Sequence, residues 1–311
     1  MGVDGCREHK VARGRGNTQP GAVNELDARP VLDRRSAIRA LAALAVTPLM
    51  TRAGTSDFHQ RKLDRIGLAL FTVRPLASRD FERTLQQVAA IGYRDLDMYI
   101  YESTREPAET RAMLDRAGLA CPSARVATPA LYRGWDRFLD AANALGARFI
   151  TLANIPYEER LHLRDWMEIA DVLNKAGEAA RRRGLSLCYH NHSFELASLE
   201  GKIPLDLLLA STDPALVKLQ MDVYWMAHGG RNPATEIRRL GSRVATLHLK
   251  DMDATAARGI TSVGRGIIDF KAVLAAAADA KVSHCFVEED APADPLEAIR
   301  ASYSYLSQTE F

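Results

Sequence analysis

Four short runs in the second half of the chain carry imidazoles and carboxylates at the ends of apolar stretches. They are Tyr189-His190-Asn191-His192-Ser193-Phe194-Glu195, Met221-Asp222-Val223-Tyr224-Trp225, Leu247-His248-Leu249-Lys250-Asp251 and Val287-Glu288-Glu289-Asp290. Brought together, such groups make the mixed nitrogen and oxygen donor set that a divalent metal takes. Asp222 lies in an otherwise apolar run, and a lone buried carboxylate is costly, so it needs a partner such as a metal or an arginine. His248 taken alone would be a core histidine bonded to backbone; its place beside the Asp222 run makes it a ligand instead. His190 and His192 share one face of a strand, so one can ligate while the other orients it or touches substrate, and His190 is the deeper. Glu288 and Glu289 point to opposite faces, and parity does not choose between them.

Something must hold these runs side by side. From Asp64 onward, short β-branched or apolar runs alternate with longer amphipathic segments. The expected strands are 66–72, 93–99, 120–126, 148–154, 186–192, 218–225, 245–251 and 283–290. The expected helices are 80–91, 107–117, 135–145, 163–183, 233–240, 270–280 and 295–305. Gly92, Gly118, Gly146 and Gly184 follow four of these helices, as C-terminal caps do. Eight such units with continuous apolar strands predict a closed parallel (β/α)8 TIM barrel. An open doubly wound sheet is the alternative, but no glycine-rich phosphate loop follows the first strand. In a barrel, chemistry sits at the C-terminal strand ends, where all four runs fall.

The chain has 311 residues, 41 Lys and Arg against 39 Asp and Glu, and 47% hydrophobic residues, an ordinary globular composition. A net charge of +2 gives no basic face for nucleic acid. Residues 1–33 read as a disordered n-region or an over-long start. Asp33-Arg34-Arg35-Ser36-Ala37-Ile38-Arg39 and the apolar run to Met50 then resemble a twin-arginine export signal, cleaved after Ala53. The alternative is a short amphipathic helix with a chance arginine pair. We expect residues 1–53 to be the signal and 54–311 the barrel, periplasmic, or cytoplasmic if the start is over-long. The mature part contains no membrane span. Of the four cysteines, Cys6 falls in the expected signal region, and Cys121, Cys188 and Cys285, an odd number within expected strands, argue against a disulfide framework.

Residues 64–307 resemble the xylose isomerase-like barrel superfamily, the sugar phosphate isomerase/epimerase group. The matching pieces are Gly67-Leu68-Ala69-Leu70-Phe71-Thr72-Val73-Arg74, His190-Asn191-His192 with Phe194-Glu195, Asp222-Val223-Tyr224-Trp225, His248-Leu249-Lys250-Asp251, Val263-Gly264-Arg265-Gly266-Ile267-Ile268-Asp269-Phe270 and Val287-Glu288. The resemblance implies one divalent metal ion, and the family's Glu, Asp, His and Glu ligands fall on His190, Asp222, His248 and Glu288. The first glutamate is thus replaced by His190, and Glu195 is the nearest carboxylate, so either is the candidate first ligand. In the family's epimerases two metal-bound glutamates exchange protons across the substrate. Here either Glu195 restores that pair or the chain performs a one-base reaction. Asp97 and Tyr99 near the second strand's end, and Arg125 on the third, occupy positions expected to shape substrate choice.

A metal of this donor type, Mn, Co, Zn or Fe, can polarise a sugar carbonyl and support enediolate chemistry. Glu288 or Glu195 is the candidate base, and Lys250 either stabilises the oxyanion or is a solvated ammonium at the rim. His192, Arg125 and Arg265 are candidate substrate contacts, with Gly264 and Gly266 allowing the loop to approach. Trp225 and Tyr224 offer an aromatic wall, although Tyr224 could equally fill core. The expected function is a metal-dependent isomerase or epimerase on a non-phosphorylated sugar or keto-sugar. A lyase on a 3-keto sugar, glycoside or inosose uses the same site. An endonuclease IV-like phosphodiesterase and a non-catalytic sugar-binding protein rank lower. The expected partner is a small carbohydrate, with a homo-oligomer contact or helix packing open for Tyr303 and Tyr305.

Overall fold

Each of the eight apolar runs becomes a strand, and all eight pair in parallel into one closed barrel. The computed structural model describes residues 61–100 and 105–311, so the expected signal at 1–53 lies outside the described residues. The barrel strands are β1 (Gly67–Ala69), β2 (Asp95–Tyr99), β3 (Ala120–Val126), β4 (Phe149–Leu152), β5 (Ser186–His190), β6 (Val217–Asp222), β7 (Val244–Leu249) and β10 (His284–Val287). A small antiparallel pair, β8 (Asp251–Met252) and β9 (Ile260–Thr261), interrupts the passage from β7 to β10. Around the ring, β5, β6, β7 and β10 are consecutive neighbours, so the four runs that carry imidazoles and carboxylates open on one arc of the mouth. The ring closes where β1 meets β10. A Cβ on Gly67 would lie 2.5 Å from the Phe286 ring, so a glycine there lets Phe286 fill the barrel.

The helices form for reasons visible in the sequence. In Leu163–Arg182, Trp166, Ile169, Ala170, Leu173, Ala176, Gly177 and Ala180 recur at helical spacing and are buried against the barrel, with Asp165 in the first turn and Arg181 and Arg182 in the last. Leu173 is fully buried, and truncating it to alanine would cost about 2–5 kcal/mol. Gly92, Gly118, Gly146 and Gly184 all adopt positive φ after their helices, as expected.

The differences concentrate at the mouth. The first strand stops at Ala69, and Leu70–Val73 turns as a 3-10 helix. The sixth stops at Asp222 rather than Trp225, because Asp222 Oδ1 accepts a bond from the Trp225 N–H and caps the helix Val223–His228. The fifth and eighth end at His190 and Val287, leaving His192 and Glu288 just beyond regular structure. The helix Pro204–Ser211 has little sequence signal of amphipathicity, since its Leu207, Leu208, Leu209 and Ala210 make one apolar run. Cys121, Cys188 and Cys285 are buried, and none of them forms a disulfide among the described residues. No helix among the described residues is long and apolar enough to cross a membrane.

Candidate metal centre

His190 ends β5, Asp222 ends β6, His248 lies on β7 in register with Asp222, and Glu288 follows β10. All four are buried, and one donor atom from each lies within 4.8 Å of the others. Parity therefore resolves in favour of Glu288. Glu289 turns outward, where its carboxylate accepts from Ser262 Oγ at 2.8 Å.

The hydrogen bonds around this group leave lone pairs where an ion would need them. His190 Nδ1 lies 3.1 Å from Gln220 Oε1, while its Nε2 has no partner and faces Asp222 Oδ2 at 3.8 Å, too long for a hydrogen bond. Asp222 spends Oδ1 on the helix cap, and its Oδ2 has no well-directed hydrogen bond, only the Lys250 ammonium at 3.2 Å. His248 has Glu288 Oε2 at 2.8 Å from Nδ1 and Asp97 Oδ2 at 2.6 Å from Nε2, the carboxylate backing common behind metal-bound histidine. Arg125 Nη1 donates to Glu288 Oε1 at 3.0 Å, and Lys250 Nζ reaches Glu288 and Asp290 at 2.8 Å each. Four carboxylates, Asp97, Asp222, Glu288 and Asp290, thus meet two permanent cations, Arg125 and Lys250. With His248 in the neutral form that a ligand must take, the excess of two negative charges, costly in a buried cluster, matches the charge of a divalent ion; without an ion, a proton on His248 offsets one of them. The donor set, the bare lone pairs on His190 Nε2 and Asp222 Oδ2, and the charge fit such an ion, which would take the place of the proton between His248 Nδ1 and Glu288.

The electrostatics agree. Burial, then the neighbouring His248 charge, holds His190 well below the usual imidazole range, so it is neutral as a ligand must be. Burial raises Asp222 against the pull of Lys250. Burial alone would lower His248, but Glu288 and Asp97 outweigh it and raise it. Burial works to raise Glu288, yet Lys250, His248 and Arg125 keep it well below the ordinary carboxylate value. Lys250 is raised because Asp222, Glu288 and Asp290 overcome its burial, so the solvated-ammonium alternative does not hold.

Above the group lies a cavity of about 230 Å³ with Phe71, Tyr99, Arg125, Asn154, His192 and Lys250 on its walls. Arg125 and His192 thus stand where a substrate contact was expected. Burial, followed by the Lys250 charge, pushes His192 down to about 3. Trp225 packs against His192 with ring centres 5.7 Å apart, one layer behind the cavity, and Lys250 Nζ lies 5.7 Å from its ring. Tyr224 is a loop anchor, its hydroxyl donating to Arg258 O at 2.9 Å.

Several expectations move. Glu195 belongs neither to the ligand group nor to the cavity wall: its oxygens accept from Tyr189 Oη at 2.5 Å and the His192 N–H at 2.9 Å, and burial raises its carboxyl to about 7. Arg265 points to solvent and pairs with exposed Glu297 at 2.6 Å. Gly264 and Gly266 do not approach substrate; their N–H groups donate to Asp251 Oδ2, while Met252 and Ile268 donate to Asp251 Oδ1. Asp97 stands behind His248 rather than on the wall. Gln220, Asp290 and Asn154 were not anticipated. Gln220 and Asp290 share parity with Asp222 and Glu288, the signal that would have found them.

The sequence pattern of the family described as xylose isomerase-like TIM barrel matches residues 85–309. An inosose dehydratase of Lacticaseibacillus casei is 23% identical over 269 residues, covering 74% of this chain and 89% of that protein. A sugar phosphate isomerase/epimerase structure from Parabacteroides distasonis superposes with a TM-score of 0.69 at 22% identity, covering 79% of this chain and 96% of that one. A protein solved with a bound zinc atom superposes at 0.60 with 14% identity, covering 77% and 95%.

Proposed function

We propose that this chain, which belongs to the xylose isomerase-like TIM barrel family, is a divalent-metal-dependent enzyme acting on an uncharged keto-polyol or keto-sugar. It removes a proton next to the carbonyl with a single base, so the outcome is loss of water or a carbonyl shift rather than two-base epimerisation. The observation that carries this reading is the β5 position of the ligand group. An imidazole stands there, and the nearest carboxylate, Glu195, is bonded to Tyr189 and the His192 backbone. Glu288 is then the one glutamate in the group.

A divalent ion held by His190, Asp222, His248 and Glu288 supplies, when bound, a Lewis acid for the carbonyl. Glu288, kept ionised by Arg125, His248 and Lys250, takes the proton from the neighbouring carbon, and the electron pair moves onto the carbonyl oxygen. Lys250 donates to that oxygen, held in place by Asp290. In the water-loss branch the pair returns and expels a β-hydroxyl, which leaves as water with a proton from Lys250. The name of the curated relatives, inosose dehydratase, favours this branch. His192 and Asn154 offer polar contacts to hydroxyls, and the tilted pair Phe71 and Tyr99, 6.4 Å between centroids, packs against the C–H face. The cavity is smaller than the about 300–1,000 Å³ of drug-sized pockets, which suits one ring rather than a glycoside. Both cations on its wall are engaged by carboxylates, which argues against a phosphorylated substrate.

The test is elemental analysis of the purified full chain, followed by incubation with inososes and keto-sugars in deuterated water under NMR. One equivalent of metal, deuterium next to the carbonyl and an unsaturated or dione product are expected. An isomer of unchanged formula would select the carbonyl shift. An inverted stereocentre would overturn the single base, and neither metal uptake nor exchange would overturn the enzyme.

A further inference from the structure

A carboxylate can ligate through either oxygen, but a histidine ligates only through a nitrogen that carries no proton. Replacing a glutamate by His190 therefore creates a requirement that the rest of the barrel must meet: the proton belongs on Nδ1 and not on the Nε2 that faces Asp222. Resting on the metal reading above, we propose that Gln220 is the positioning residue that meets this requirement. Gln220 lies on β6 in register with His190 and is fully buried. Its Oε1 sits 3.1 Å from His190 Nδ1, and its Nε2 donates to Ser123 Oγ at 3.4 Å across the barrel interior. Ser123 Oγ lies 3.3 Å from Thr151 Oγ1, so Ser123 can accept from the amide and pass its own proton on to Thr151.

Both partners of the amide can donate or accept, so its direction is set at the far side of the ring, where Nε2 has no acceptor within hydrogen-bond reach. With Oε1 toward the ring, the imidazole must donate from Nδ1, and Nε2 is bare. Reversed, the amide would aim an N–H at Nδ1, force the ring proton onto Nε2 and place it between His190 and Asp222, where the 3.8 Å separation is too long for a hydrogen bond. The choice of a neutral amide also follows from charge. His248 is backed by the Asp97 carboxylate, and the cluster already holds four carboxylates against two permanent cations, so a fifth beneath His190 would deepen the excess. Gln220 supplies the acceptor without the charge.

Two measurements test this. In the native chain stripped of metal, nitrogen-15 imidazole spectra should show His190 protonated at Nδ1; a proton on Nε2 overturns the proposal, and this readout needs no variant. Calorimetric titration with Mn²⁺ then compares the native chain with Gln220→Leu, Gln220→Glu and His190→Ala. Gln220→Leu should weaken Mn²⁺ about 10–100-fold, approaching His190→Ala, whereas Gln220→Glu, which still accepts from Nδ1, should bind Mn²⁺ at least as tightly as native, its added charge costing stability only in the metal-free chain. Native-like binding by Gln220→Leu, or equal weakening in Gln220→Glu, overturns the role. If Gln220→Leu fails to fold, as circular dichroism would show, Gln220→Glu and the tautomer decide. A native chain that takes up no Mn²⁺ overturns the metal reading itself and is distinguishable from failure of Gln220 alone.

Discussion

The barrel has a histidine and carboxylate cluster at each end, and only one is built to receive something. At the floor, His284 Nδ1 meets Asp95 Oδ2 at 3.0 Å, and the Arg65 guanidinium holds Asp95 Oδ1. The floor also has the larger concavity, about 520 Å³, but its other cations are paired as well, Arg61 with Asp279 and Lys62 with Glu310. His284 leaves one nitrogen unengaged, yet the one group of three or more converging ligand residues among the described residues is at the mouth. There His190 Nε2 and Asp222 Oδ2 face each other at 3.8 Å without a hydrogen bond between them. The same residue types make a closed ion-pair network in one place and a converging donor set with an excess of negative charge in the other. Lone pairs left facing each other mark the site; the size of the hollow does not.

The sharpest break is Asp222→Asn. It removes one ligand and one of the excess charges, while the asparagine side chain can still accept the Trp225 N–H and keep the helix cap. We expect loss of stoichiometric metal and a fall of at least about 10³-fold in kcat/KM, with little change in the melting temperature of the metal-free protein. Unaltered metal content in the variant would remove the distinction between mouth and floor.

A second contrast is between two carboxyls. Asp95 is buried too, and burial alone would raise it, but His284 and Arg65 hold it below its ordinary value. Glu195 receives only neutral donors, and burial raises it from 4.5 to about 7, a difference of about 3 kcal/mol between its protonation states. The signs are opposite. With its folded value raised, Glu195 contributes stability that is complete below about 4.5 and lost as pH rises through about 7. With its folded value lowered, Asp95 contributes stability present above its ordinary 3.8 and lost as pH falls through the lower folded value. The stability of the native chain relative to Glu195→Gln, from denaturant unfolding between pH 4.5 and 8, should therefore fall as pH rises, whatever slope the lowered His190 and His192 add to both profiles. A Glu195→Gln profile parallel to that of the native chain would refute it.

Much of this was legible in the sequence, because a parallel barrel repeats one pattern and strand parity assigns faces. Eight runs gave eight strands, and the ligand positions His190, Asp222, His248 and Glu288 follow from parity together with the family resemblance. Parity does not report where a strand stops or what a loop residue turns toward. Asp222 ends its strand by capping the next helix. Glu195 turns to Tyr189 and not to the metal group. Asp251 gathers four backbone N–H groups, which explains the glycines beside Arg265 without any substrate. These outcomes depend on hydrogen bonds closed between distant segments, and no local spacing encodes them.

Asp95→Asn tests the floor directly. It leaves His284 and Arg65 a single uncharged acceptor oxygen in place of two, which should cost about 1–3 kcal/mol in unfolding free energy, reduced to the extent that Arg65 is half exposed. Metal affinity and kcat/KM should stay native, because nothing at the floor reaches the ligand group. A variant that lost metal as well as stability would mean that the two ends are coupled through the barrel interior, where Gln220, Ser123 and Thr151 form the polar belt between them.

The smallest effect belongs to Arg265. Its family motif and its position between two glycines suggest a substrate clamp, but its guanidinium sits in solvent against Glu297, both about half exposed. An exposed pair of this kind contributes about 0.2–1 kcal/mol at most. Arg265→Ala should therefore leave KM, kcat and metal content unchanged and shift unfolding by less than about 1 kcal/mol. A clear rise in KM would show that the loop carrying Arg265 folds over the cavity when substrate binds, and the Asp251 hub would then be the hinge on which it turns.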